Sequence, residues 1–110
     1  MTTATPDVVS RYFDTTARQD LDAMVGLFAE DAVVIDEGHT YRGTAEIRGW
    51  KDGVASKYEY TTTLISSESI GDGTYLLVNR VEGNFPGGVV DLKFRFGVAG
   101  DKIRHLEIAP

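Results

Sequence analysis

The feature that most limits what this chain can fold into is a change of period partway along it. Up to about residue 56 the apolar residues recur mainly at helical spacing, and beyond it long β-rich runs take over. These runs cover residues 57–70, 74–85, 89–98 and 102–108. They are separated by Gly71-Asp72-Gly73, Pro86-Gly87-Gly88 and Ala99-Gly100-Asp101. Separators this short, each with glycine, make hairpins, and hairpins force antiparallel neighbours. A long hairpin-linked sheet twists and curls, which leaves a concave face for helices to cover. Helices do not alternate with the last four strands, so a parallel doubly wound fold is disfavoured.

The first half supplies those helices. Thr5-Pro6-Asp7 reads as a helix start, with Thr5 as cap, Pro6 at the first helical position and Asp7 at the positive end of the dipole. Val8, Val9, Tyr12 and Phe13 define its apolar face, and the helix ends near Arg18 or Gln19. Asp20 caps a second, short helix whose face carries Leu21, Met24, Leu27 and Phe28, and Glu30-Asp31 ends it. Residues 32–36 are dominated by β-branched side chains and read as a strand, with Val34 and Asp36 on one face and Val33 and Ile35 on the other. Residues 37–43 read as a loop. Thr44 then caps a third helix to about Ser56, with Ile47, Trp50 and Val54 facing inward and Gly49 and Gly53 weakening it.

A chain of 110 residues is one domain by length; residues 1–5 are expected to fray and 6–110 to form the domain. There is no cysteine, which excludes disulfides, a thiol nucleophile and cysteine metal sites. The net charge of −6 repels phosphate backbones and anionic lipid, and the basic residues are scattered singly, so neither nucleic acid nor a membrane is an expected partner. The first six residues are polar and are not a signal peptide, and no apolar run is long enough to span a bilayer. The expected location is the cytoplasm. Two histidines far apart, His39 and His105, make no metal site.

Taken in order, Val9-Ser10-Arg11-Tyr12, Asp20-Leu21-Asp22-Ala23-Met24-Val25, Leu27-Phe28-Ala29-Glu30-Asp31-Ala32, Asp36, the Arg42-Gly43-Thr44 step into Ile47, Phe94-Arg95-Phe96 and Asp101-Lys102-Ile103 resemble the nuclear-transport-factor-2-like (NTF2-like) superfamily. The likeness is to its ketosteroid-isomerase-like and polyketide-cyclase-like (SnoaL-like) branches. It implies an α+β fold shaped like a cone, with three N-terminal helices packed on a curved antiparallel sheet around an interior pocket. It also implies a small hydrophobic ligand, no cofactor, and a homodimer through the open sheet face.

The resemblance puts Tyr12 where the isomerases hold an oxyanion-binding tyrosine and Asp36 where they hold the general base. That chemistry needs a carboxylate beside a carbon acid and neutral donors facing the developing oxyanion in a dry pocket. The family's second acid falls on Leu92, one residue after Asp91. A one-residue offset turns a strand side chain to the other face, so Asp91 reaches the interior only through a bulge. The expected pocket wall comprises Phe28, His39, Trp50, Leu92, Phe94 and Leu106, with Ile108. Either Asn79 or Arg80 points inward, and an inward Arg80 would favour an anionic ligand or pair with Asp36. Arg80 and Asp91 also make a loose echo of the Asp-Arg-Asp set of the epoxide-hydrolase branch. Two functions stay open: a proton-transferring isomerase or cyclase, or a non-catalytic module that binds a small ligand or assembles as a dimer.

Overall fold

A computed structural model describes residues 6–57 and 59–110, with side chains at 54–57 outside that description. The cap at Thr5 and the side chains of Val54 and Tyr58 therefore lie outside the described residues. The elements in chain order are α1 (Asp7–Ala17), α2 (Leu21–Val25), β1 (Phe28–Asp36), β2 (His39–Arg42), α3 (Gly43–Lys57), β3 (Tyr60–Gly71), β4 (Thr74–Gly83), β5 (Val89–Ala99) and β6 (Lys102–Ala109).

Helix α1 starts one residue later than its proline suggests. Pro6 has an extended backbone (ψ 156°) and is the cap, so the first helical position is Asp7. Arg11 pairs with Asp7 and Arg18 with Asp14 one turn apart, which supports the exposed face. The helix stops at a left-handed Gln19 (φ 56°). There Asp20 N–H donates to the Thr15 carbonyl and Gln19 N–H to the Thr16 carbonyl, the two bonds of a Schellman ending. Asp20 then caps α2, its carboxylate accepting from Ala23 N–H at 3.2 Å.

Helix α2 is shorter than the spacing of its apolar residues suggests. It ends at Val25, and Leu27 and Phe28 belong to the turn and to β1. Burial explains the difference. Phe28 is buried as a helical residue would be, but it is buried from the sheet, where it pairs with Ile103 while Ile103 N–H donates to the Leu27 carbonyl. Tertiary pairing here overrides a helical pattern.

The sheet has six strands in the order β2-β1-β6-β5-β4-β3, curved and unclosed. The four long strands read from the sequence are β3 to β6. Two details go beyond that reading. Residues 39–42 are not loop but a strand that folds back on β1 through the Glu37-Gly38 turn, with Glu37 (φ 53°) and Gly38 (φ 76°) both left-handed. And β1 pairs with β6 in parallel, which no hairpin forbids because most of the chain separates them. Helix α3 joins β2 at one edge of the sheet to β3 at the other. It packs on β1, β2 and α2, at the β2 end of the sheet.

The core lies between the concave face of the sheet and the helices. Val9, Tyr12, Met24, Val34, Ile47, Phe96, Ile103 and Leu106 are almost fully buried there. Burying one side chain such as Phe96 or Leu106 contributes about 1.5–3 kcal/mol. Tyr12 sits edge-on to Phe13, Phe28 and Phe96 with ring centroids 5.1, 6.1 and 5.5 Å away.

Candidate functional site

Between α1, α3 and the far ends of β4, β5 and β6 the core opens into a cavity of about 410 Å³. Such a volume is in the range of pockets that enclose a drug-sized molecule. Its walls are mainly apolar, with Phe13, Val81, Val90, Leu92, Phe94 and Ile108 prominent among them. The polar groups are few: Tyr12 and Thr16 from α1, Asp36 and Glu37 at the end of β1, Trp50 and Lys51 from α3, and Tyr60 and Thr62 from β3.

Asp36 reaches the interior because it shares a strand face with Val34, and that face is the buried one. Trp50 Nε1–H donates to Asp36 Oδ2 at 2.9 Å, fixing one carboxylate oxygen and leaving the other edge to the cavity. Tyr12 is fully buried, and its hydroxyl meets the ammonium of Lys51, which donates to it at 3.0 Å. The same ammonium is 3.5 Å from the Tyr60 hydroxyl and stands 5.0 and 4.9 Å from the centroids of Tyr12 and Trp50.

Electrostatics follow from this packing. Burial first, and the Asp36 carboxylate second, push the Tyr12 phenol well above its ordinary range, with the Thr16 hydroxyl opposing. Tyr12 is therefore a neutral O–H donor at neutral pH. Burial lowers the Lys51 amine, against the opposing effects of Tyr60 and Asp36. Thr16 Oγ1 is buried without a hydrogen-bond partner of good geometry among the described residues, and it borders the cavity.

The residues singled out from the sequence divide into two groups. Tyr12, Asp36, Trp50, Leu92, Phe94 and Ile108 all border the cavity. Phe28 and Leu106 do not; both are packed into the core, Phe28 beneath the Tyr12 ring and Leu106 against β1 and β5. His39 is exposed on β2, opposite Asp36 in the hairpin but outside the cavity. Strand β4 pairs with β5 without a register shift from Thr74↔Gly97 to Glu82↔Val89. No bulge returns Asp91 to the interior. It lies on the exposed face and takes both ends of the Arg80 guanidinium, at 2.9 and 3.3 Å. The Arg80–Asp91 echo of an epoxide-hydrolase set thus faces away from the cavity. Asn79, not Arg80, is the inward residue, 2% exposed.

Five polar residues of the cavity escape the sequence reading, Thr16, Glu37, Lys51, Tyr60 and Thr62, and of these Lys51 and Tyr60 meet the Tyr12 hydroxyl or its partner. Lys51 had a signal. It falls four residues after Ile47, inside the apolar stripe of α3, where a lysine is out of place unless it has partners. Tyr60 had none, because a strand tyrosine is ordinary.

The SnoaL-like domain model matches residues 9–105, and this chain belongs to that family. Among solved structures, a provisionally assigned polyketide cyclase from Sinorhizobium meliloti is 35% identical, with 96% of this chain and 95% of that one covered and a TM-score of 0.91. A Catenulispora acidiphila protein with a ketosteroid-isomerase-like fold, solved with trimethylamine, is 21% identical over 96% and 86% of the two chains, with a TM-score of 0.85. A Mycobacterium tuberculosis protein in complex with estradiol-17β-hemisuccinate is 15% identical over 94% and 90%, with a TM-score of 0.79. The last two share the fold. No curated protein matches the sequence significantly.

Proposed function

We propose that the chain is a cofactor-independent proton-transfer enzyme of the isomerase or cyclase type, acting on a small, largely apolar carbonyl compound. Asp36 takes a proton from the carbon next to the carbonyl, and Tyr12 donates its O–H to the oxygen that gains charge. The observation that carries this reading is that both groups border one apolar cavity, Asp36 fixed by Trp50 and Tyr12 kept neutral by burial. The estradiol derivative in the M. tuberculosis protein and the cyclase assignment of the S. meliloti protein support an apolar, polycyclic ligand. The test is turnover of a panel of β,γ-unsaturated ketones and polyketide-like ketones by the wild type and by Asp36→Asn. A base of this kind is worth about 10²–10⁴ in rate. Equal rates for the two proteins would sink the assignment.

The register of β5 favours a second reading, a binding module. The position that would bring a second acid to the oxyanion holds Leu92, and Asp91 is tied up outside by Arg80. In that case the ligands raise the melting temperature and none is converted.

In either reading the convex face of the sheet is proposed to form a homodimer. Its Val33, Ile35, Leu76 and Val78 are half-buried apolar residues on the face opposite Val34, Leu77 and Asn79, which are buried. Light scattering at micromolar concentration decides this, and a monomer there counts against it.

A further inference from the structure

Among the described residues that border the cavity Lys51 is the only amine, and it is 9% exposed. Among the described residues no carboxylate comes within ion-pair distance of it. Its neighbours are two phenol oxygens and two aromatic faces. It also separates two spaces. On its other side lies a second cavity of about 500 Å³, bordered by Gln19, Asp20, Asp52 and Thr61, and Lys51, Tyr60, Thr16 and Thr62 border both. Both are mainly apolar, and the second carries the larger share of polar groups.

We propose that Lys51 is a nucleophile for carbonyls: its Nζ condenses with an aldehyde or ketone of the apolar ligand to form a Schiff base. The inference rests on the reading of the cavity as a carbonyl site and deepens it, but it does not require Asp36 to be the base. The Nζ lone pair forms the C–N bond, and the carbonyl π electrons move to oxygen. The nitrogen gives up its two protons in turn, each passed through the Tyr12 and Tyr60 hydroxyls to that oxygen. Departure of the oxygen as water leaves the C=N bond. One amine and one carbonyl give one imine and one water, with no oxidant or reductant. The water has an exit into the second cavity, beside Gln19, Asp20 and Asp52. A protonated imine then acidifies the neighbouring C–H, the proton that Asp36 is proposed to remove.

The surroundings favour a reactive amine. Burial lowers its pKa and so raises the neutral fraction that attacks, outweighing Tyr60 and Asp36. Among the described residues the charged or titratable groups around it are Tyr12 from α1, Asp36 from β1 and Glu37 just after it, Asp52 from α3, Tyr60 from β3 and, across the second cavity, Asp20.

The experiment incubates the full chain at neutral pH with 6-methoxy-2-naphthaldehyde and cyanoborohydride, which reduces an imine to a stable secondary amine. Peptide mass mapping locates the adduct. Lys51 is expected to be labelled faster than the exposed Lys93, because a larger fraction of it is the neutral amine and its aldehyde is held beside it. Lys51→Met and Lys51→Arg lose the adduct, and Asp36→Asn keeps it. Labelling of Lys51 no faster than of Lys93, or none at Lys51, overturns the proposal, and the wild-type map gives that answer even if a variant fails to fold. The Asp36 assignment fails separately: adduct on Lys51 with equal turnover by wild type and Asp36→Asn removes the base and leaves the nucleophile. Asp36-dependent turnover without any adduct does the reverse.

Discussion

Trp50 and Asp36 are joined by a 2.9 Å hydrogen bond from the indole N–H to one carboxylate oxygen, and the bond ties α3 to the end of β1. Trp50→Phe keeps most of the ring but removes the donor. A hydrogen bond to a charged group and a small loss of packing together predict a loss of about 1–2 kcal/mol in urea unfolding. Asp36→Asn keeps a carbonyl acceptor for the indole and is expected to lose less. Equal losses would mean the bond contributes nothing.

Lys51 and Tyr12 predict opposite limbs of a stability–pH profile. The folded state lowers the Lys51 amine below its ordinary 10.5, so between the two values the unfolded chain binds the extra proton. Stability rises with pH across that window. The folded state raises the Tyr12 phenol above its ordinary 10.0, so above that pH the unfolded chain loses the proton first and stability falls. Urea unfolding from neutral pH to about 11 should show the rising limb flattened in Lys51→Met and the falling limb flattened in Tyr12→Phe. A wild-type profile superimposable on both variants would contradict the two burial effects.

Gly83 is a position where a side chain has no room. A Cβ there would collide with the Glu59 carbonyl oxygen and come within 2.7 Å of the Tyr60 Cβ. The neighbouring Asn84 also clamps Glu59, its backbone N–H donating to the Glu59 carbonyl and its side chain accepting from the Glu59 N–H. Gly83→Ala is expected to destabilise by about 1–3 kcal/mol, as overpacking does. It should also displace Tyr60, read as a change in the reactivity of Lys51. Unchanged unfolding would show that β3 yields freely at this point.

Asp91 tests the register of β5. Its carboxylate is exposed and held below the ordinary range, first by its hydrogen bond from Arg80. Asp91→Asn should leave ligand binding and turnover as they are. A large loss of turnover would mean that the strand slips in solution and brings Asp91 inward.

The parts of the fold that were legible in the sequence are those governed by local signals. The hairpin separators at 71–73, 86–88 and 99–101 located β3 to β6 because glycine and short length leave little choice there. The resemblance put Leu92 at the pocket and alternation then turned Asp91 away, as the unshifted pairing of β4 with β5 bears out. What was not legible depended on partners distant in sequence. Phe28 continues the helical spacing of α2, yet pairing with Ile103 draws it into a strand. His39 sits in a segment with turn residues on both sides, and only its pairing with β1 makes it a strand residue that faces solvent. In the site, the positions of Tyr12 and Asp36 could be read from the resemblance. The buried lysine between them and Tyr60 could not, because its burial arises where three separate elements converge.

The path of α3 has a mechanical consequence. The sheet is open, and its two edge strands, β2 and β3, are consecutive in the chain except for this helix. Fifteen helical residues make a stiff rod of about 22 Å in the segment that joins the rims. A ligand too wide for the cavity cannot be admitted by spreading the strands unless the rod lengthens or swings. A one-turn insertion or deletion in α3 is therefore expected to change the range of ligand widths accepted, read as melting-temperature shifts across a graded ligand series.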